Sequence, residues 1–246
     1  FNALHGRFGE DGYIQSILEA EKIKYTHSGA LASSIAIDKE VSKKFFLKKK
    51  IKVPKYFIYS YFDNLNIYYL IKKSRIHFPI VMKPINEGSS LGVYICTKKN
   101  LNRNLRKLKK YNRVLIEEYV PGREIQVAVM DKKALGAIEL KPRRKFYDYY
   151  AKYSNKAKTK HIMPAPMKSK KYKEVLNIAQ KAHIVLGCRG VTRSDFRYYK
   201  NKFYLLEVNT QPGMTSLSLV PEIAAYRGIK FEDLVEWMVK DADYRR

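Results

Sequence analysis

The segment VTRSDFRYYKNKFYLLEVN, residues 191–209, constrains the fold of this chain more than any other. Its two halves are rich in aromatic and β-branched residues and flank Lys200-Asn201-Lys202, a pattern typical of a β-hairpin. Because Asn201 tolerates a left-handed backbone, we expect a three-residue loop at these positions. The segment therefore predicts two paired antiparallel strands.

With a three-residue loop, the two strands pair so that four polar side chains lie on one face of the hairpin. Asp195 lies opposite Glu207, and Arg193 lies opposite Asn209. Side chains alternate along a strand, so the four project together. The same alternation assigns the opposite, core-facing side to Phe196, Tyr198, Tyr204, Leu206 and Val208.

Two directly opposed carboxylates repel each other unless a cation lies between them. Asp, Glu and Asn oxygens suit a hard cation, and so few protein ligands suit Mg²⁺ completed by phosphate oxygens and water. Arg193 could then neutralise charge on a phosphoryl group. The alternative is the solvent-facing side of an edge hairpin with Arg193 paired to a carboxylate, and the hairpin alone does not decide between the two.

A candidate phosphate-binding loop lies in VMKPINEGSSLGV, residues 81–93. Lys83 ends an apolar strand, and the small residues of the 87–92 loop allow backbone N–H groups to approach an anion. The lysine precedes the glycines, so this is not a Walker A loop. An ordinary turn between two strands is the alternative.

A second polar strand end occurs in LIEEYVPGRE, residues 115–124. Glu117, Glu118 and Glu124 could accept hydrogen bonds from an adenine amino group and a ribose hydroxyl. An exposed strand with alternating charges is the alternative.

Further along, aromatic residues interleave with lysines in FYDYYAKYSNKAKT, residues 146–159. This segment could stack single-stranded bases or form an ordered active-site loop.

The charge of the chain is strongly positive, with 49 Lys and Arg against 23 Asp and Glu and a net charge of +26. Such a charge indicates either a polyanion partner or lysines spread over solvated surfaces. The lysines occur all along the chain rather than in one element or tail, so we favour the second interpretation.

Composition excludes several other classes of protein. No apolar run reaches the roughly 18 residues of a membrane span. Cys96 and Cys188 have no metal or disulfide spacing, which fits a reducing cytoplasm, and the scattered histidines argue against a zinc site. Helical segments alternate with antiparallel strand pairs, so we expect an α+β fold rather than a doubly wound one. The start, FNALHGRFGEDG, is typical of the interior of a domain, and we expect the chain to be a piece of a longer protein.

Six segments together resemble the D-alanine–D-alanine ligase family of the ATP-grasp superfamily. They are ALHGRFGEDG, Asp38-Lys39, VMKPINEGSSLGV, FYDYYAKY, GVTRSDF and LLEVNTQPGMTSLSLVP, in family order along the chain. The resemblance implies an ATP-grasp fold, with two α+β subdomains that clasp ATP. We expect an N-terminal domain remnant over residues 1–38, a central subdomain over 39–120, and a C-terminal subdomain with metal site and lid loop over 121–246.

The resemblance also implies a role for individual residues. For the nucleotide, these are phosphate contacts from Lys39, Lys83 and Lys152, an adenine pocket of Glu117, Glu118 and Val120, and Glu124 on the ribose. For the metal, Asp195, Glu207 and Asn209 would hold two Mg²⁺ ions, with Mn²⁺ as an alternative. For catalysis, Arg193 and the Gly213 N–H would stabilise the reacting groups, and Ser89 and Tyr153 would close the loop over the substrates. Ser218 and Leu219 would bind the second D-alanine, and His5 would lie near the first.

The implied reaction joins two D-alanines through an acyl-phosphate at the expense of ATP, for peptidoglycan precursor synthesis. The resemblance also implies a cytoplasmic homodimer, with no membrane or nucleic-acid partner. A family segment that binds the first D-alanine lies upstream of residue 1, so we expect the N-terminal domain here to be incomplete. Two alternatives stay open: an ATP-grasp ligase with another second substrate, such as D-lactate, and a non-enzymatic polyanion-binding relic.

Overall fold

The structure is a computed structural model that describes residues 1–63, 65–88, 90–141, 159–215 and 218–245. The helices in these ranges are α1 (Tyr13–Ala20), α2 (Ala30–Ile37), α3 (Lys39–Lys48), α4 (Ile67–Ser74), α5 (Leu101–Leu108), α6 (Ser169–Val185), α7 (Leu219–Tyr226) and α8 (Phe231–Lys240). A short 3₁₀ helix covers Lys109–Tyr111. The strands are β1 (Tyr56–Ser60), β2 (Ile80–Pro84), β3 (Tyr94–Cys96), β4 (Arg113–Glu118), β5 (Arg123–Met130), β6 (Lys133–Lys141), β7 (Lys160–Ile162), β8 (Val191–Tyr199) and β9 (Lys202–Asn209).

These strands form two antiparallel sheets, which confirms the α+β prediction. The first sheet has the order β1-β4-β2-β3, and the second has the order β7-β6-β5-β8-β9. In the first sheet Val81 pairs with Glu117 and Lys83 pairs with Leu115, so these four side chains share one face. The opposite face of that sheet packs on α4 and α5 through residues such as Ile80, Ile71 and Leu108.

The second sheet is covered by helices on both faces. One face packs against α6, with α2 and α3 alongside, in a core that includes Phe196, Leu205 and Ala179. The other face packs against α7 and α8 through residues that include Ile138 and Ile223. Burial of apolar surface on both sides of β5 and β8 fixes the register of these strands, because a slip of one residue would reverse their faces.

The β8–β9 hairpin confirms the predicted pairs and corrects the predicted loop. Arg193 pairs with Asn209 and Asp195 with Glu207, but the loop has two residues, Lys200 and Asn201, rather than three. Both loop residues have positive φ, 46° and 62°, as the tight hairpin turn requires.

A β-bulge reconciles the short loop with the predicted pairs. The register shifts by one residue between Asp195 and Phe196, and Leu206 is the extra residue on β9. The predicted core positions of Tyr204 and Leu206 are therefore wrong, and Phe203 and Leu205 are buried instead.

Two consecutive helices, α2 and α3, are divided at Asp38. This residue has an extended backbone (ψ 102°), and its side chain accepts hydrogen bonds from the N–H groups of Glu40 and Val41, both at 2.9 Å. Asp38 is thus the N-cap of α3, and a carboxylate is favoured there because it satisfies free N–H groups at a positive helix end. The cap places Lys39 in the first turn of α3, facing the cleft described below.

No helix in the described ranges is both long and apolar enough to cross a membrane.

Candidate active site

A cleft of about 720 Å³, partly open to solvent, lies between the two sheets. It brings together residues that are far apart in the sequence but were predicted to act together. Its lining includes Lys39, Lys83, Glu117, Glu118, Val120, Glu124, Asp195 and Glu207. The phosphate-loop candidate contributes Glu87 and Ser90.

Glu117 is a buried carboxylate held between two lysines. Lys83 Nζ lies 2.6 Å from its Oε1 atom, and Lys43 Nζ lies 3.1 Å from its Oε2 atom. Burial raises the pKa of Glu117, but the Lys43 and Lys83 charges outweigh burial and leave this pKa below its ordinary value. Glu117 therefore stays ionised within the cleft.

Lys43 was not predicted as a site residue. Its side chain is fully buried, and burial lowers its pKa to about 8 although the Glu117 charge opposes this shift. In the sequence it is one of several lysines in KEVSKKFFLKKK, and only the packing of α3 against the sheets distinguishes it.

Lys39 connects the predicted phosphate loop to the predicted metal site. Its Nζ atom donates to the Glu87 carbonyl at 2.6 Å and lies 3.6 Å from Glu207 Oε2. Its backbone N–H donates to the Ile85 carbonyl, which fixes the start of α3 beside that loop. A buried cation in this position can balance negative charge on a bound phosphate.

Asp195 and Glu207 lie directly opposite each other at one end of the cleft, and Arg193 and Asn209 form the next pair on the same face. Arg193 binds the Asp195 carboxylate with both Nε, at 2.8 Å, and Nη2, at 3.1 Å. This bidentate pair orients the carboxylate and leaves Glu207 half-buried beside it. An Arg193–carboxylate pair was also expected if the hairpin were only a solvent-facing edge. This contact alone therefore does not distinguish a metal site from such an edge.

The oxygen set at this end of the cleft is chemically suited to Mg²⁺. Among the described residues, no three His, Cys, Asp or Glu side chains lie close enough to hold a metal ion. Two carboxylates and one amide are too few for an all-protein site but fit Mg²⁺, which usually takes one or two carboxylates together with substrate phosphates and water.

The bulge also gives the cleft a residue that regular strand alternation would assign to the core. Leu206 and Glu207 are consecutive, yet both line the cleft. Bulges commonly redirect a side chain next to an active site. Leu206 therefore adds apolar surface to the cleft, whose lining also includes Val81 and Val120.

Glu124, predicted on the ribose, is paired with Arg197. Arg197 Nη2 lies 3.1 Å from Glu124 Oε2, and both residues line the cleft. The two occupy facing positions on β5 and β8. The ion pair keeps the carboxylate in place at the cleft wall.

His5 lies outside the described cleft lining but close to the phosphate loop. Its Nδ1 atom is 3.3 Å from Oε1 of Glu10, which is buried. A Cβ atom added at Gly88 would lie 2.7 Å from Oε2 of Glu10, so the Glu10 carboxylate approaches the backbone of this loop closely. Glu10 was not predicted from the sequence, and it brings the His5 segment to the loop.

The loop after β9 carries the remaining predicted residues. Ser218 Oγ accepts a hydrogen bond from the Thr215 N–H at 2.9 Å and lies where a side chain on Gly213 would collide with it. Ser218 precedes α7, and the Leu219 side chain is buried in the core under that helix. Any contact from Leu219 to a carboxylate would therefore come from its backbone N–H at the helix N-terminus.

Three predicted residues, Ser89, Lys152 and Tyr153, lie outside the residues that the structure describes. The roles of these three residues, like those of the other predicted site residues, stay predictions.

Comparison with known proteins gives a consistent result. A family model described as D-ala D-ala ligase C-terminus matches residues 58–240. The chain is 62% identical over 247 residues to the D-alanine–D-alanine ligase of Pelagibacter ubique (strain HTCC1062), covering 100% of this chain and 81% of that relative.

Two solved structures have the same fold over almost the whole chain. The D-alanine–D-alanine ligase from Bacillus anthracis complexed with ATP has a TM-score of 0.83 and 30% identity, covering 97% of this chain and 76% of that one. The VanG D-Ala:D-Ser ligase from Enterococcus faecalis has a TM-score of 0.86 and 28% identity, covering 97% of this chain and 71% of that one. Together with the family match and the geometry of the cleft, these likenesses show that the chain belongs to the D-alanine–D-alanine ligase family of the ATP-grasp superfamily.

Proposed function

We propose that this chain joins two D-alanines into D-alanyl-D-alanine with ATP, in the synthesis of peptidoglycan precursors. The observation that carries this proposal is the convergence in one cleft of Lys39, Lys83 and Glu117 with the opposed pair Asp195 and Glu207. Membership of the family and the 62% identical relative support it.

ATP would lie between the two sheets. The base would contact Glu117, Glu118 and Val120, the ribose would contact Glu124, and Lys39 and Lys83 would bind phosphates. We assign the γ-phosphate contact to Lys152 and closure over the substrates to Ser89 and Tyr153. Closure matters because water would otherwise hydrolyse a reactive intermediate.

Asp195, Glu207 and Asn209 would hold two Mg²⁺ ions, or Mn²⁺ in their place. Bound there, the ions would neutralise charge on the phosphates and on the transferring phosphoryl group. Arg193 orients Asp195 through two hydrogen bonds, so it both supports the ion site and carries positive charge towards the reacting groups.

The reaction would proceed in two displacements. A carboxylate oxygen of the first D-alanine, beside His5, attacks the γ-phosphorus of ATP, so that ADP leaves and an acyl-phosphate forms. The amino nitrogen of the second D-alanine then attacks the acyl carbon, and phosphate leaves as the amine loses its proton. The Gly213 N–H and Arg193 would stabilise the tetrahedral intermediate, while Ser218 and the Leu219 N–H at the start of α7 hold the second carboxylate.

We further propose that the enzyme works in the cytoplasm, where ATP is available, and as a homodimer, as the family resemblance implies. Its surface charge is spread along the chain, so a nucleic-acid partner is not part of the proposal.

A substrate panel tests the proposal. The chain is incubated with ATP, Mg²⁺ and D-alanine, and mass spectrometry detects the product; L-alanine is the control, and D-lactate and D-serine compete as second substrates. We expect D-alanyl-D-alanine from the D isomer alone and in excess over the mixed products. A preference for D-lactate or D-serine would overturn the second-substrate assignment, and tight, salt-sensitive nucleic-acid binding without any ligation product would favour the relic.

A further inference from the structure

Lys43 is a buried charged residue to which the proposed function gives no role. Its side chain is fully buried, while Lys44, the next residue on α3, is 64% exposed and paired with Glu40. In the described part of the chain, Lys43 Nζ forms one ion pair, with Oε2 of Glu117, and has no hydrogen-bond partner of good geometry. The aromatic ring of Tyr56 lies 5.5 Å from Nζ on another side.

Burial of this ammonium is costly and calls for an explanation. An ion removed from water is stabilised by its partner only in part, and a buried ion pair is often no more stable than apolar residues of similar volume. A methionine would fill much of the same space in the core without that cost. Stability of the fold therefore does not account for a lysine at this position.

The contacts of Glu117 indicate what Lys43 does. Its two oxygens are divided between two cations: Lys83, which lines the cleft, holds Oε1 at 2.6 Å, and Lys43, which lies behind the cleft, holds Oε2 at 3.1 Å. Because Oε2 is buried against Lys43, the oxygen left to accept a hydrogen bond from a ligand in the cleft is Oε1, which keeps a second accepting site beside Lys83. Lys43 thus fixes the carboxylate from the side opposite to the ligand.

We propose that Lys43 is a positioning residue for nucleotide recognition, which acts through Glu117. It keeps that carboxylate ionised and oriented, so that Glu117 accepts a hydrogen bond from the amino group of an adenine base. An ionised carboxylate at this point also repels a carbonyl oxygen, so Lys43 contributes to the preference for ATP over GTP. The proposal rests on the proposed function, because it assigns the base to the Glu117 end of the cleft.

The test is a double-mutant cycle read out by direct nucleotide binding. ATP and GTP, each with Mg²⁺, are titrated calorimetrically into the wild-type chain, Lys43→Met, Glu117→Gln and the double variant. We expect Lys43→Met to weaken ATP binding about tenfold, since a charge-assisted interaction is lost, and to change GTP binding less than about twofold. In the Glu117→Gln background, Lys43→Met should have little further effect on ATP binding.

Lys44→Met is the matched control, because it removes the same charge from the neighbouring position on the exposed side of α3. It should leave both affinities within about twofold of wild type. If Lys43→Met does not fold, Lys43→Gln, which keeps a hydrogen-bond donor without the charge, takes its place in the cycle. Thermal unfolding without nucleotide establishes that each variant is folded.

Three results would overturn the proposal: unchanged ATP affinity in folded Lys43→Met, an equal loss in the Glu117→Gln background, or an equal loss for ATP and GTP. A failure of the proposed reaction is distinguishable from a failure of this proposal. A chain that binds ATP but forms no dipeptide contradicts the proposed reaction, while the double-mutant cycle can still be measured by nucleotide binding. A wild-type chain that binds no ATP would contradict both.

Discussion

Asp195 and Glu207 lie directly opposite each other on β8 and β9, although the loop that joins these strands is one residue too short to align them by regular pairing. The bulge at Leu206 supplies the missing residue. It turns Leu206 and Glu207 to the same side, so that an apolar residue and a carboxylate both line the cleft. One local irregularity thus completes both the predicted metal site and the wall of the predicted base site.

If the base lies against Leu206 as proposed, Leu206→Ala should raise the KM for ATP about five- to tenfold with little change in kcat, because apolar contact is lost while the carboxylates of the predicted metal site keep their places. Steady-state kinetics at saturating D-alanine measure this split. Leu47→Ala, a truncation of a leucine that is 50% exposed, is the control. A fall in kcat with an unchanged KM would instead mean that Leu206 serves to position Glu207.

Asp195→Asn and Glu207→Gln should each lower dipeptide formation by about a thousandfold or more, because in the proposed mechanism each carboxylate is a charged ligand of the ions that neutralise the transferring phosphoryl group. Product is measured by mass spectrometry at saturating substrates. Binding of a polyanion such as heparin should stay the same in both variants. Retention of ligation in either variant would show that the metal assignment is wrong.

Gln211 is buried and joins the loop after β9 to the N-terminal segment. Its Oε1 atom accepts from Asn2 Nδ2 at 3.0 Å and from Gln15 Nε2 at 3.4 Å, and its Nε2 donates to the Leu4 carbonyl. Its backbone N–H donates to Asn209 Oδ1 at 2.7 Å. The residue therefore links a predicted metal ligand to the segment that carries His5.

Gln211→Leu should lower the free energy of unfolding by about 2–4 kcal/mol, because it removes side-chain hydrogen bonds and leaves their partners buried. It should also raise the KM for D-alanine, since the His5 segment loses its attachment. Urea unfolding and steady-state kinetics measure the two effects. Gln180→Leu is the control: it removes one exposed hydrogen bond, from Gln180 Nε2 to the Lys132 carbonyl, and should lower the free energy of unfolding by less than about 1 kcal/mol with no change in KM. A stability loss in Gln211→Leu without any change in KM would contradict the link to the substrate.

The lowered pKa of Lys43 should make the free energy of unfolding depend on pH. Its pKa falls from 10.5 unfolded to about 8 in the folded chain, chiefly because of burial. Between these values the unfolded chain binds the proton that the folded chain has released, so the contribution of Lys43 to stability is least favourable below pH 8 and improves as pH rises towards 10.5. Burial is the largest cause of this pKa, and the charges of Glu117, Lys83 and Glu207 act on it as well.

The free energy of unfolding of the wild type relative to Lys43→Met should therefore increase from pH 7.5 to pH 10, by at most about 3 kcal/mol. Urea unfolding of both proteins across this range measures it. A difference that does not change with pH would mean that the folded lysine keeps its ordinary pKa.

The sequence predicted the polar partners of the hairpin because alternation and pairing are local properties. The loop length and the bulge escaped prediction, since a two-residue loop with a bulge and a three-residue loop without one align Asp195 with Glu207 equally well. Lys43 and Glu10 escaped for another reason: their burial arises only when α3 and the N-terminal segment pack on the sheets, and each is an ordinary charged residue in its own stretch. The cleft residues from Lys39 to Glu207 were grouped by family resemblance, and the fold brings them together.

The most direct test of the reaction follows one oxygen atom. The chain is supplied with ATP, Mg²⁺ and D-alanine labelled with ¹⁸O in its carboxylate, and mass spectrometry measures the label in the released phosphate. An acyl-phosphate transfers one carboxylate oxygen to phosphate for each dipeptide formed, so we predict D-alanyl-D-alanine together with an equal amount of singly labelled phosphate. Dipeptide with unlabelled phosphate, or no dipeptide from a folded chain that binds ATP, would contradict the account.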